Sequence, residues 1–356
     1  MRNPEAEFDH REKLSYEYVG SLDPLSLDEF MTVLPEINRS CDVDVIVGTL
    51  EYAVELSSSK IGIESPAEAL AGLRDIDFLL SSALRHGVDV MQRVDGLGDE
   101  LRRLGIIAHT VPRGTVYTYA AANPTGSRRR TFTGSVEENG FIDAVRDSCL
   151  VLDDAVEAIG MGDITDDRAL VSQLALGLSA MRIMTDSIVS VRRSVSPEYF
   201  TNNMRPFFEP IEIDGKLITG AGGAQMQMLA LDNMLWGIDS PNDAYKAFFD
   251  ANVQYLAPTQ QRALVSYKES NDGMSILSHL ETAPYRYPES LEVFSQIMAQ
   301  IKKFRYPHRK LAKDNFKIRS SDAVGSGQSK PDVLDVLIDA TEDALIRTRR
   351  MIDVEE

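Results

Sequence analysis

A histidine on the apolar face of a predicted helix is the side chain best suited to binding a metal. Apolar residues recur at three- and four-residue spacing over residues 289–316, which predicts one long helix. Its apolar stripe contains Leu291, Phe294, Ile297, Ile301, Phe304 and Leu311. His308 stands in this stripe with its imidazole toward the core, and Pro307 beside it predicts a kink. Two interpretations stay open: a metal ligand, or a core histidine satisfied by a carbonyl or carboxylate.

The same helix carries a local excess of positive charge. Residues 302–319 hold eight lysines and arginines and one acid, Asp314, in a chain whose formal net charge is −18. Such a run either receives a ligand with two carboxylates or forms a solvated basic face.

The remaining histidines and the cysteines do not predict a second metal site. The histidines at positions 10, 86, 109 and 279 share no metal-ligand spacing. Cys41 and Cys149 are isolated, so neither a disulfide framework nor a zinc knuckle is expected.

Composition bounds the class of protein and its partners. The chain has 356 residues, of which 43% are apolar, enough to bury a core. The charge of −18 argues against nucleic acid and anionic membranes as partners, since both need a basic surface. The polar start predicts no signal peptide, and no apolar run approaches the length of a membrane span, so a cytoplasmic protein is expected.

Hydrophobic periodicity predicts an all-α protein with two domains. The predicted helices are 27–34, 44–56, 66–87 with Gly87 as a C-cap, 141–160, 166–195, 224–236, 289–316 and about 331–352. Residues 108–134 are punctuated by proline and glycine, which predicts an irregular segment with one short strand at most, and 206–223 predict a loop. We expect a smaller N-terminal helical domain over 1–135 and a larger helical domain over 136–356.

Several sequence blocks, kept in order, resemble a known superfamily. They are SPEYFTNNMRPFFEPI, ITGAGGAQ, MLALDNMLWGI and RYPHRKLAKDNF followed by VGSGQSKPDVLDVL. Together they resemble the histidine-ligated heme dioxygenases, of which indoleamine 2,3-dioxygenase is one. The blocks LPEINRSCDVDVIVG, RDIDFLLSSALRHG and NPT at 123–125 are similar to the monodechloroaminopyrrolnitrin synthase family of pyrrolnitrin biosynthesis. The likeness covers most of the chain.

The resemblance implies a heme b cofactor (iron protoporphyrin IX) in an indoleamine 2,3-dioxygenase-like helical bundle. His308 stands at the position of the proximal iron ligand, and Gly325 and Gly327 stand at cofactor-contacting positions. The basic run after 302 would then face the heme propionates, and residues 108–134 would cover the distal heme pocket.

The resemblance also implies a pocket for an aromatic amino acid. Arg205 stands where the dioxygenases hold the substrate carboxylate, which suits the planar fork of a guanidinium. The other implied substrate-binding residues are Phe200, Tyr119, Ala120, Gly222 and Gly223. Without the resemblance, Arg205 equally fits a structural ion pair.

Two implied catalytic positions lie near the C-terminal end of the long helix. Ser326 matches a serine or threonine near the substrate in the family, and Phe316 stands where the pyrrolnitrin enzymes have a tyrosine. The loss of that hydroxyl removes a proton donor or substrate contact. It predicts a different substrate or product, unless Phe316 merely continues the apolar stripe.

The implied function is oxidation of tryptophan or a modified tryptophan in secondary metabolism. O2 or H2O2 would be the oxidant, with an external reductant. Two alternatives remain: aromatic-ring hydroxylation of tyrosine, and a heme sensor or carrier without turnover.

Overall fold

The computed structural model describes residues 15–59, 63–221, 227–317 and 332–353, without the side chains of 315–317 and 332. Helices form nearly all the regular structure in these ranges, and the two strands there have three residues each. The predicted all-α class is therefore confirmed.

The chain forms two compact units, each built from two segments. Unit 1 comprises Met1–Ile142 and Tyr199–Gly223, and unit 2 comprises Asp143–Glu198 and Ala224–Glu356. The predicted domain boundary near residue 135 stays a prediction.

Unit 1 is organised around one buried helix. Its helices are α1 (Tyr16–Ser21), α2 (Asp28–Ser40), α3 (Val43–Ser58), α4 (Pro66–Arg85), α5 (Val90–Arg93) and α6 (Leu97–Ala108). α4 begins with a capping box between Ser65 and Glu68, and Gly87 follows its end with φ +82°. α4 packs against α3 and α6, and also against the segments that begin at Tyr117 and Arg205. It is therefore the rigid element that supports two stretches of irregular backbone.

Those irregular stretches contain short turns of unusual geometry. Tyr117–Ala121 and Phe200–Met204 are π-helical, and Gly126–Arg128 and Arg205–Phe208 are 3-10 helical. Residues 108–134, all described, contain no strand.

The predicted loop at 206–223 contains a β-hairpin that the sequence analysis missed. β1 (Ile211–Ile213) pairs antiparallel with β2 (Lys216–Ile218). The turn between them is Asp214–Gly215, with φ of +52° and +72°. Two positive φ values are what a two-residue hairpin turn requires, and Asp-Gly is a favoured pair there.

Unit 2 is a bundle of longer helices. They are α8 (Asp167–Ser194), α10 (Met228–Asp232), α11 (Asp243–Asn252), α12 (Pro258–Ser270), α13 (Ile276–Thr282), α14 (Pro288–Lys317) and α15 (Asp332–Asp353). α7 (Val136–Gly160) begins in unit 1 and ends in unit 2, and α9 (Pro197–Tyr199) spans the other boundary. α14 packs along α8 and α15 around one apolar core.

Two further sequence predictions need adjustment in unit 2. The predicted helix over 224–236 is α10 continued by a π-helical turn, Asn233–Gly237, and both are buried throughout. α8 is long and apolar enough to cross a membrane by length and composition alone, which corrects the expectation that no such run exists. A core helix of a soluble protein passes the same test, and Leu170, Leu174 and Met181 of α8 lie in the apolar core.

Candidate functional site

His308 lies on the buried side of α14, as the apolar stripe predicts. Leu291, Phe294, Ile297 and Ile301 are fully buried, and Phe304 is nearly so. The His308 side chain is half-buried, and its ring centroid lies 5.4 Å from that of Phe304. α14 continues through Pro307 to Lys317.

The chemical state of His308 suits a metal ligand. Burial, together with the positive charge of Arg305, lowers the pKa of His308 to about 4, so the imidazole is neutral at pH 7. Within the part of the chain that the structure describes, neither ring nitrogen of His308 makes a hydrogen bond. Among the described residues, the ring therefore has no carbonyl or carboxylate partner of the kind expected for a core histidine. The ring therefore keeps a nitrogen lone pair for an external group, which fits the proximal ligand of a heme.

A buried ion pair fixes α14 one turn before His308. Arg305 is 2% exposed and pairs with Asp232 at the end of α10. Its Nη1 also donates to Leu337 O of α15 at 2.9 Å. Its guanidinium carbon lies 5.9 Å from the centroid of the Trp236 ring. One side chain therefore ties three helices together near the candidate ligand.

Three residues of the basic run on α14 pair with acids of α15. Lys302 Nζ lies 2.7 Å from Glu342, and Arg309 Nε lies 2.5 Å from Asp335. Lys313 lies 4.0 Å from the same Asp335. For these three residues, α15 supplies the opposite charges. Lys317 and Arg319 contribute side chains outside the described part.

In unit 1, a π-helical turn brings Phe200 and Arg205 together. The Arg205 N–H donates to Phe200 O, so the turn is closed by residues five apart. Arg205 is 8% exposed, whereas Phe200 is half-buried. π-helical turns are rare and occur frequently at functional sites. The geometry explains how two side chains five residues apart can serve one ligand.

Phe200 lies at the edge of an aromatic cluster in unit 1. The ring centroid of Phe141 lies 5.7 Å from that of Phe200 and 6.5 Å from that of Tyr119. Tyr119 also contacts Phe132 at 5.8 Å and Phe208 at 5.4 Å between centroids. The predicted pocket residues Tyr119 and Phe200 therefore belong to one cluster, and Ala120, beside Tyr119, is fully buried.

The hydroxyl of Tyr119 is held by a buried carboxylate. Tyr119 OH donates to Glu138 Oε1 at 3.2 Å. Glu138 also accepts from the backbone N–H of Phe132 at 2.8 Å and of Thr133 at 2.7 Å. Burial, with the nearby charge of Glu138, raises the pKa of Tyr119 well above its usual range. Tyr119 is thus a neutral phenol whose proton is already engaged.

Residues 59–351 of this chain match the model of a family described as monodechloroaminopyrrolnitrin synthase PrnB. The chain belongs to this family. The matched range begins at the end of α3 and extends into the last turn of α15, so it takes in both candidate regions.

Within this PrnB-family chain, several predicted site residues lie outside the described residues. They are Gly222, Gly223, Gly325, Ser326 and Gly327, together with the side chain of Phe316. The described ranges contain no group of three or more His, Cys, Asp or Glu side chains that could hold a metal ion.

The sequence analysis missed two buried groups that organise the candidate substrate region. Glu138 is one, and the pattern Ser135-x-x-Glu138 at the start of α7 is the capping signal that could have found it, since Glu138 N–H donates to Ser135 Oγ at 3.0 Å. Arg113 is the other. It bonds Asp77 of α4 at 2.8 Å and Ile218 O of β2 at 3.1 Å.

Arg113 also explains Gly220, the first glycine of the ITGAGGAQ block. A Cβ added to Gly220 would lie 2.9 Å from Arg113 Nη2, too close for any other residue without a shift of the guanidinium. No local sequence pattern indicates that Arg113 is buried and paired, because its partners come from distant parts of the chain.

Proposed function

We propose that this protein is a heme-dependent enzyme that oxidises tryptophan or a modified tryptophan in secondary metabolism, by oxygenation or oxidative rearrangement. Membership of the PrnB family supports an enzyme that acts on a pyrrolnitrin precursor. The proposal of a heme cofactor rests on the His308 imidazole, which is neutral and makes no hydrogen bond in the described part. The proposed cofactor is heme b, the proposed location is the cytoplasm, and neither nucleic acid nor membrane is proposed as a partner.

When bound, heme supplies the activation of O2 or H2O2, with electrons from an external reductant. His308 would bind the heme iron, and the Arg305–Asp232 pair keeps the helix of His308 in place. We propose that Gly325 and Gly327 contact the cofactor.

The substrate is held by unit 1. Arg205 binds the carboxylate of the amino acid through two parallel hydrogen bonds. Phe200 and the ring of Tyr119 pack against the aromatic part of the substrate, beside Ala120. We propose that Gly222 and Gly223 let backbone approach the substrate closely. Ser326 is proposed separately as a catalytic residue. The tightly bound phenol of Tyr119 takes no part in proton transfer.

The function is tested with the purified, heme-loaded protein. We expect tryptophan and 7-chlorotryptophan to shift the Soret band and to be consumed when a reductant with O2, or H2O2, is added. Consumption of tyrosine with hydroxylation of its ring would replace this function by that of a tyrosine hydroxylase. Spectral binding without consumption of any of the three would identify a sensor or carrier.

The substrate anchor is tested by Arg205→Leu. Affinity for the amino acid should fall by about 2–5 kcal/mol, because a carboxylate is left without its partner, while heme content stays unchanged. Arg102→Leu removes a more exposed arginine of the same unit and serves as the control. An unaltered affinity of Arg205→Leu would make Arg205 a structural residue.

The outcome of the reaction is tested at position 316. We propose that Phe316, in place of the tyrosine of the pyrrolnitrin enzymes, stops the reaction at a simpler oxygenated product. With 7-chlorotryptophan, Phe316→Tyr should gain the rearranged aminophenylpyrrole. Efficient formation of that product by the unmodified protein would show that the missing hydroxyl is irrelevant.

A further inference from the structure

A buried hydroxyl beside Arg205 lacks a hydrogen-bond partner. Thr201 is 8% exposed, and its Oγ1 makes no hydrogen bond. It is the one buried serine or threonine hydroxyl in the described ranges for which this holds. Other buried helical threonines bond a carbonyl four residues earlier: Thr341 bonds Leu337 O and Thr348 bonds Ala344 O, both at 2.7 Å. Leaving a hydroxyl buried and unpaired costs stability, so an unpaired group calls for an explanation.

The π-helical turn that carries this hydroxyl is the one that leads into Arg205, the candidate substrate anchor. Thr201 follows Phe200 and precedes Arg205 by four residues, and the Arg205 N–H closes the turn on Phe200 O. All three side chains therefore come from one turn. Phe200 is half-buried, whereas Thr201 and Arg205 are each 8% exposed. The turn thus holds an aromatic face, a hydroxyl and a guanidinium together.

We propose that Thr201 Oγ1 donates a hydrogen bond to the carboxylate of the bound amino acid, alongside Arg205. A carboxylate has about four acceptor positions, and a bidentate arginine occupies two of them. A hydroxyl in the same turn supplies the next donor. This inference rests on the proposed function, since it assigns a second contact to the same substrate head group.

The first test measures affinity in the ferric heme-loaded protein without reductant, so that no turnover occurs. Thr201→Val keeps the shape of the side chain and removes the hydroxyl. Tryptophan should bind roughly 10- to 100-fold more weakly, the loss expected for one hydrogen bond to a charged group. The affinity for indole-3-propionate, which has the carboxylate without the amine, should fall by the same factor. Thr201→Ser should retain most of the affinity. Thr348→Val is the matched control, and its affinity for both ligands should be unchanged.

The second test measures stability without ligand. If Thr201 serves the substrate, Thr201→Val should unfold at the same or a higher urea concentration than the unmodified protein, because an unpaired polar atom has been removed. Thr348→Val should unfold at a slightly lower concentration, because it loses a hydrogen bond.

The possible outcomes separate this inference from the proposed function. If the unmodified protein binds neither ligand, the proposed function fails, and a lowered stability of Thr201→Val would then assign the hydroxyl a structural role. Normal binding of tryptophan by Thr201→Val overturns the inference alone. A loss confined to tryptophan also overturns it, because the hydroxyl would then serve the ammonium group.

Discussion

The two units bury charge in different ways. In unit 1, three fully buried arginines, Arg74, Arg113 and Arg130, pair with carboxylates and also donate to loop carbonyls. Arg74 bonds Leu22 O at 2.9 Å, and Arg130 bonds Arg128 O at 2.7 Å. Irregular backbone cannot satisfy its own carbonyls, so buried side chains must do so.

Unit 2 is built of regular helices whose backbone groups bond one another. Its core is an apolar cluster, and the buried pair Arg305–Asp232 lies near His308 within it. Buried arginines in unit 1 therefore bind the carbonyls of irregular backbone. In unit 2, the buried ion pair lies near His308, the candidate heme ligand.

The pKa directions sharpen this contrast. Burial alone would raise the pKa of Asp75, but the charges of Arg74 and Arg130 outweigh it and lower that pKa below its usual value. For Asp232, burial outweighs the charge of Arg305 and raises the pKa to about 6. The charges around Asp75 therefore stabilise its carboxylate, whereas the Arg305–Asp232 pair of unit 2 is maintained against a desolvation cost. The Arg113–Asp77 pair of unit 1 resembles the pair of unit 2, because burial also raises the pKa of Asp77.

The largest expected effect is in unit 1. Asp75→Asn should lower the free energy of unfolding by about 3–5 kcal/mol at pH 7, because it leaves buried arginine charge uncompensated. Since the folded-state pKa of Asp75 is lowered, its contribution is present at neutral pH and lost as the pH falls below about 4. Urea unfolding at several pH values measures both the loss of unfolding free energy and its dependence on pH.

The control for Asp75→Asn is Glu36→Gln, which breaks an exposed pair with Arg39 and should cost less than about 1 kcal/mol. Equal losses in the two variants would contradict a special role of the buried network.

Replacement of the Arg305–Asp232 pair in unit 2 should not destabilise the protein, in contrast to the loss of Asp75 in unit 1. The combined variant Asp232→Asn, Arg305→Met should be as stable at pH 7 as the unmodified protein, or more stable by about 1–4 kcal/mol. Because the folded-state pKa of Asp232 is raised from 3.8 to about 6, the unmodified protein loses stability from this group as the pH rises from 4 to 6.

That loss should be absent from the combined variant, so the stability difference between the two proteins should grow over the same pH range. A difference that stays constant with pH would show that Asp232 is charged throughout, as in the network of unit 1.

The smallest expected effect compares two buried tyrosines. Tyr119→Phe removes the hydrogen bond to Glu138 and should cost about 1 kcal/mol. Tyr267→Phe in unit 2 removes a hydroxyl that makes no hydrogen bond in the described ranges, and should cost nothing. Affinity for tryptophan should be unchanged in Tyr119→Phe, because its ring remains. A weakened affinity would mean that the phenol contacts the substrate.

The sequence predicted the longest helices better than the shorter ones, for a physical reason. The helices that were not predicted include α1, α5 and α6 of unit 1 and α11, α12 and α13 of unit 2. α8, α14 and α15 each bury one apolar stripe, and such a stripe repeats with the helical period. The hairpin at Ile211–Ile218 was missed although Asp214–Gly215 is a turn signal, because its strands are too short to show alternation. The π-helical turns also leave no periodic trace.

The candidate site shows the same difference between a residue on a periodic helix and residues in irregular segments. The inward position of His308 followed from periodicity, and the assignment of Arg205 and Phe200 came from a family resemblance. Neither could reveal Glu138 as the partner of Tyr119, or Asp77 as the partner of Arg113, since these contacts join residues 19 and 36 positions apart.

The absorption spectrum of His308→Ala tests whether His308 holds a heme iron. Mixed with heme, this variant should show no tight binding and no normal Soret band, while its circular dichroism remains helical. His279→Ala is the control, because His279 lies on α13 with its ring centroid 4.9 Å from that of Tyr287, and this variant should bind heme normally. A normal Soret band in His308→Ala would show that another residue holds the iron.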